Sequence, residues 1–287
     1  MKLRDIYARP ALTLSIEFFP PKTEKGEENL FREVAVLKTL KPAFCSVTYG
    51  AGGSTREKTI ELVDRIRREC GLEVMCHLTV VAQSKDEVRS VLRKLKDLGI
   101  ENIIALGGDP PQGTPNWTPH PDGFQHSIEL VREAVTYDCF SIAVAGFPEV
   151  HPRAESREAD LRYLKEKVDA GGDVVITQLF FDNEDFYRYV EDARKIGVRV
   201  PIVPGVLPIL SASQVRRFTA LCGAKIPSRL ERLLQKVEND GEAATLMGID
   251  YATEQCEALL RFGVPGIHFY SLNKSRSVQA ICARLGL

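Results

Sequence analysis

Short apolar runs alternate with longer amphipathic segments from one end of this chain to the other, and that alternation limits the fold more than any other feature. The candidate strands are Leu12–Phe18, Phe44–Tyr49, Val74–Val80, Asn102–Leu106, Phe140–Ala145, Val174–Phe180, Pro201–Val206 and Gly266–Ser271. Each is followed by a segment of helical periodicity, over 24–40, 56–70, 84–98, 124–137, 157–170, 183–196, 212–222 and 275–285. Ser84-x-x-Glu87 and Ser211-x-x-Gln214 read as capping boxes. Gly71, Gly99, Gly171, Gly197, Gly223 and Gly263 stand where helices should stop. An extra helical stretch, 241–262, and a shorter one around 227–236 precede the last strand. Strand-then-helix units without a linker demand a parallel sheet covered by helices. Eight such units close a barrel, and 287 residues is near the roughly 250 that one takes. A doubly wound sheet fits less well. No strand is followed by G-x-G-x-x-G, and the turn Gly50-Ala51-Gly52-Gly53-Ser54-Thr55 has the wrong spacing. The expected fold is α/β, a single (β/α)8 TIM barrel over 1–287 with extra helices before the last strand and no regulatory domain.

Bulk properties exclude several functions. Net charge is −1, with Lys and Arg spread throughout, so neither nucleic acid nor an anionic membrane is the expected partner. No apolar run approaches the ~18 residues of a membrane span, and Met1–Arg9 lacks the apolar core of a signal peptide. The seven cysteines form no C-x-x-C pair and no zinc spacing. A reduced, soluble, cytoplasmic protein is expected.

Chemistry in such a barrel sits at the carboxyl ends of the strands. Glu17 lies near the end of the first apolar run, just before Pro20-Pro21. A buried, unpaired carboxylate costs several kcal/mol or titrates away, so Glu17 is either ion-paired for structure or used as an acid. The other strand ends carry Thr48 and Tyr49, His77 and Thr79, Gly107-Gly108-Asp109-Pro110-Pro111, Phe147-Pro148-Glu149-Val150-His151, Thr177 and Gln178, and Asn273 and Lys274. Each has a plain alternative. The threonines suit any strand, His77 suits a core, Asp109 suits an Asx-turn, and His151 suits a surface loop. Together they would make several independent polar coincidences at one end. Lysine-based aldol chemistry is excluded, since no candidate strand interior carries Lys, and there is no G-x-S-x-G elbow. A metal site from Glu17, His77, Asp109 and His151 stays open, although no pair has close ligand spacing. Two acids among neutral hydrogen bonders suit proton transfer beside a bound organic cofactor. On the helix after strand five, Asp160, Tyr163 and Lys167 share one stripe, while Leu161, Leu164 and Val168 form the stripe expected to face the barrel.

The ordered blocks S-I-E-F-F-P-P, F-C-S-V-T-Y-G-A, H-L-T, A-L-G-G-D-P-P, F-P-E-V-H-P, D-A-G-G-D-V-V-I-T-Q-L-F-F, P-G-V-L-P and H-F-Y-S-L-N-K resemble the methylenetetrahydrofolate reductase family across nearly the whole chain. The resemblance implies a barrel binding FAD non-covalently, reduced by NADH or NADPH, which leaves before the folate binds. It implies Glu17 as the general acid that opens the folate's five-membered ring, kept protonated by burial, with Asp109 as the carboxylate near the flavin. Gln178 would bind folate and nicotinamide in turn, with Thr48 and Lys274 also on the substrate side. Thr48, His77, Leu106, Gly107, Asp109, Phe147, His151, Asp160, Tyr163 and Lys167 would line the cofactor, and no metal is implied. The chain departs from the pattern where relatives often carry Arg at Gly107, Tyr at Phe147, Asn at Tyr163, Arg at Glu166, an aromatic at Ala212 and Arg at Lys274. Loss of cations near the flavin predicts weak FAD retention. Dimers or tetramers are common among such proteins, so a homo-oligomer is expected. Two rivals remain: a subunit whose flavin receives electrons from a partner protein, and a metal-dependent barrel lyase.

Overall fold

The computed structural model describes residues 1–49, 55–109, 118 and 120–287. The turn from Gly50 to Ser54 and the Pro110-Pro111 end of the fourth motif lie outside the described residues. The strands are β1 (Thr13–Phe18), β2 (Phe44–Val47), β3 (Val74–Thr79), β4 (Asn102–Leu106), β5 (Ser141–Gly146), β6 (Val174–Thr177), β7 (Ile202–Val203), β8 (Gly205–Val206) and β9 (Gly266–Tyr270). All pair in parallel in the order β7-β6-β5-β4-β3-β2-β1-β9-β8. The sheet closes through the chain itself, because β7 and β8 are two halves of the expected seventh strand, parted only by Pro204. Proline has no N–H for the ladder, yet its carbonyl still accepts from His268 N at 3.0 Å. The result is an eight-stave barrel.

The helices are α1 (Leu3–Tyr7), α2 (Glu24–Leu37), α3 (Arg56–Cys70), α4 (Lys85–Asp97), α5 (Ser127–Val135), α6 (Arg157–Asp169), α7 (Asn183–Lys195), α8 (Ala212–Cys222), α9 (Ser228–Lys236), α10 (Gly241–Phe262) and α11 (Arg276–Leu285). Their starts follow local chemistry. Ser84 and Glu87 form a full capping box around α4. At α8, Ser211 accepts from Gln214 N, but the Gln214 side chain accepts from Leu210 N instead of closing the box. Gly71, Gly223 and Gly263 are left-handed C-caps, as only glycine adopts cheaply. None of the helices among the described residues is long and apolar enough to cross a membrane.

Period-two alternation sorts the strand residues into two faces. Ile16, Cys45, Cys76, Leu78, Ile103, Val144 and Val175 point outward into one core shared with helix residues such as Leu30, Val63, Leu92, Leu130, Leu164 and Phe186. Phe44, Met75, Ile104, Ala143, Val174 and Val203 point inward and fill the amino-terminal half of the barrel. Leu3 and Ile6 of α1, a helix too short for the periodicity argument to find, plug that end. Leu3 N donates to Asn102 Oδ1 at 2.8 Å and Arg4 N to Ser141 Oγ at 3.1 Å. Beyond this plug the inward positions of β1, β2 and β3 are polar: Glu17, Ser46, His77 and Thr79.

Candidate active site

Register brings the acid and its neighbours together. Glu17 stands opposite Ser46 on one side and Tyr270 on the other, and Ser15 stands opposite His268. His77 is the inward residue one step above Met75 on β3. The Glu17 side chain is 15% exposed, and its Oε2 lies 3.1 Å from His77 Nε2 and 3.4 Å from His268 Nε2. His77 Nε2 makes no hydrogen bond of normal geometry, so its contact with Glu17 is one of charge and proximity. The far side of His268 is held by Ser15, with Oγ to Nδ1 at 2.8 Å. Above the pair, Ser271 Oγ donates to Glu17 O at 2.6 Å, and Asn273 ties the β9–α11 loop to Phe19 through both its amide atoms.

Burial is the largest single effect on the Glu17 carboxyl and works to raise its pKa. The His77 charge, the His268 hydrogen bond and the remaining contacts to both rings outweigh it, and the carboxyl is pulled down to about 2. The expectation that burial keeps Glu17 protonated left out these two imidazoles, which act against burial. The site is a carboxylate clamped between two imidazoles. His268 and Ser15 were not singled out from sequence. The signal was available, since His268 heads the H-F-Y-S-L-N-K block on the strand that pairs with β1.

The other expected residues divide into groups. Ser46 Oγ, His77 Nε2 and Thr79 Oγ1 are buried without hydrogen-bond partners, an arrangement that costs about 1–3 kcal/mol each unless a ligand completes it. Thr79 stands opposite Leu106 in register. After Leu106 the chain turns through Gly107 and Gly108. A Cβ on Gly108, whose φ is +80°, would stand 2.6 Å from Val81 Cγ1, whereas one on Gly107 would meet, among the described residues, only Arg153 Nη2, at 3.8 Å. Bare backbone therefore floors the site here, and exposed Asp109 follows it. Thr48, at the end of β2, is fixed by its backbone: its N donates to Phe18 O at 2.9 Å, and its O accepts from Thr59 Oγ1 at 2.8 Å.

On the β5–α6 side, Phe147 meets the His151 ring edge-on at 4.5 Å, and His151 N donates to Asp160 Oδ2 at 3.1 Å. Burial raises the Asp160 carboxyl, opposed by that bond and by Lys167. Lys167 is not on a solvated stripe: it is 8% exposed, and its Nζ donates to Ala145 O at 2.8 Å. Burial lowers its ammonium to about 8, against the pull of Asp160. Of the stripe, Tyr163 is the outward member, edge-on to His126 at 5.7 Å. Glu166 is exposed. Gln178 folds onto its own backbone, Oε1 accepting from Leu179 N at 2.9 Å. Lys274 is exposed, at the far end of the loop that Asn273 anchors. Ala212, the first residue of α8, is buried in an apolar cluster with Leu207 and Ile209. Among the described residues no three His, Cys, Asp or Glu side chains cluster to hold a metal ion.

An α/β barrel with an acid–imidazole pair at the carboxyl end of its first strand is thus the class that fold and site define. The family model "Methylenetetrahydrofolate reductase" matches residues 2–286. The chain is 39% identical over 297 aligned positions to "Methylenetetrahydrofolate reductase (NADH) 1" of Arabidopsis thaliana, covering 100% of this chain and 50% of that one. It is 38% identical over 277 positions to "5,10-methylenetetrahydrofolate reductase" of Salmonella typhimurium, covering 96% and 91% respectively. The chain belongs to the methylenetetrahydrofolate reductase family. It spans about half the length of the plant relatives it matches. In shape it is similar to a Clostridium thermocellum protein described as binding two copies of 5-methyl-5,6,7,8-tetrahydrofolic acid, with TM-score 0.67, 16% identity and coverage of 99% and 97%. That likeness concerns the fold.

Proposed function

We propose that this chain reduces methylenetetrahydrofolate to methyltetrahydrofolate, with FAD as bound cofactor and NADH, named in several relatives, as electron donor. The observation that carries the reading is Glu17 between His77 and His268 at the mouth of a barrel of this family. The surroundings suit a flavin: unpartnered Ser46 and Thr79 hydroxyls offer hydrogen bonds, Gly107-Gly108 offers a side-chain-free floor, and Lys167 offers positive charge. When bound, FAD supplies hydride chemistry between the nicotinamide and the folate.

The chain's own residues handle the proton. The Glu17 carboxylate lies within 3.4 Å of both imidazoles. Glu17 would hand a proton to the folate ring nitrogen, and Ser15 holds His268 in place beside it. Asp109 adds a carboxylate beside the β4 floor, where it would set the flavin's potential. Gln178 rests its Oε1 on Leu179 N, and its amide N–H groups would serve folate and nicotinamide in turn.

Glu17→Gln tests this. The folate-dependent half-reaction should fall by about 10²–10⁴-fold, the usual cost of a lost positioned acid. Reduction of the flavin by NADH should persist, since that step needs no proton donor at the folate. Equal loss in both half-reactions, followed by stopped flow, would make Glu17 a structural residue.

A further inference from the structure

The rim above Gly107 is occupied from an unexpected direction. Arg153 belongs to the β5–α6 loop, yet its guanidinium reaches across to β4, and Nη2 stands 3.8 Å from where a residue 107 side chain would begin. The loop is fixed at its base: Arg153 N donates to His151 Nδ1 at 3.0 Å and Ala154 N to His151 O at 2.8 Å. Among the described residues the guanidinium makes no hydrogen bond or ion pair. The segments 50–54, 110–117 and residue 119 contain no Asp or Glu that could neutralise it. Its charge is felt nearby, since after burial it is the strongest influence lowering His151. Lys167 adds a second positive charge around His151, and Asp160, its closest counter-charge, is engaged by His151 N. A cationic corner on a bare-backbone ledge suits an anion supplied from outside.

We infer that Arg153 anchors a phosphate of the dinucleotide cofactor, furnishing from the β5–α6 loop the cation that β4 lacks at Gly107. This inference rests on the flavin reading of the site, and it reverses the expectation that Gly107 leaves FAD weakly held. An exposed guanidinium is free to swing onto a phosphate oxygen, and a planar fork suits that geometry.

The test is a titration of FAD-stripped protein with FAD and, separately, with riboflavin, which has the ring but no phosphate, followed by quenching of flavin fluorescence. Arg153→Ala should raise the FAD Kd by about 5- to 50-fold, more at low salt than at high salt, and leave the riboflavin Kd within about twofold. Gly107 is not held at positive φ, so Gly107→Arg is compatible with the backbone, and in the Arg153→Ala background it should recover most of the lost affinity. Arg153 is exposed, so the variants should keep the wild-type circular dichroism and melting midpoint. Unchanged FAD affinity in Arg153→Ala would overturn the inference and leave the flavin reading standing. Equal weakening of FAD and riboflavin would also overturn it, since the residue would then act through loop shape. A wild-type protein that binds neither flavin would sink the functional reading and this inference with it.

Discussion

At the residue scale, the central group is a carboxylate whose partners matter more than its burial. Glu17 was legible from sequence because a carboxylate in an apolar strand needs a reason. Its protonation state was not legible, because that depends on His268, 251 positions away along the chain. A pKa depressed from 4.5 to about 2 has a thermodynamic consequence. The folded state favours the ionised form, so Glu17 contributes stability that is fully present above the unfolded pKa. That contribution is lost as pH falls from about 4.5 toward 2. Glu17→Gln should therefore flatten the acid limb of the stability curve by on the order of 3 kcal/mol, read from urea unfolding at stepped pH. An acid limb identical in both proteins would contradict the clamp. Lys167 shows the opposite balance. Burial disfavours its ammonium, which is held by the Ala145 carbonyl and by the charge of Asp160.

At the scale of elements, helices and strands followed from periodicity and caps, and the differences have local causes. The strand expected over Val174–Phe180 ends at Thr177, where Gln178 turns onto its own backbone. The strand expected over Pro201–Val206 splits at Pro204 for want of an N–H. The helix expected over 124–137 starts at Ser127, where Glu129 captures the N–H groups of Gln125 and His126. The plug α1 was missed altogether, since five residues carry no helical period. Its position at the amino-terminal end of the strands makes it a stability element. Leu3 is fully buried there, so Leu3→Ala should cost about 2–4 kcal/mol of unfolding free energy, measured by denaturant titration. Flavin affinity should be unchanged, because the site lies at the opposite end. A matching loss of flavin binding in the folded variant would show that the two ends are not independent.

At the scale of the whole molecule, the alternation of eight strand–helix units fixes which end of the barrel can hold chemistry. Inward positions run from Met75 to His77 to Thr79 on β3 and from Ser15 to Glu17 on β1, apolar or tied down below and reactive above. That gradient and the match to the family over residues 2–286 support the proposed two-stage reduction, in which one mouth would serve nicotinamide and folate in turn. The most direct measurement is anaerobic absorbance of the FAD-loaded protein through both stages. NADH should bleach the flavin band, and methylenetetrahydrofolate should then restore it, with one methyltetrahydrofolate formed per flavin. A flavin that NADH and NADPH both leave oxidised, or a reduced flavin that methylenetetrahydrofolate does not reoxidise, would contradict the account.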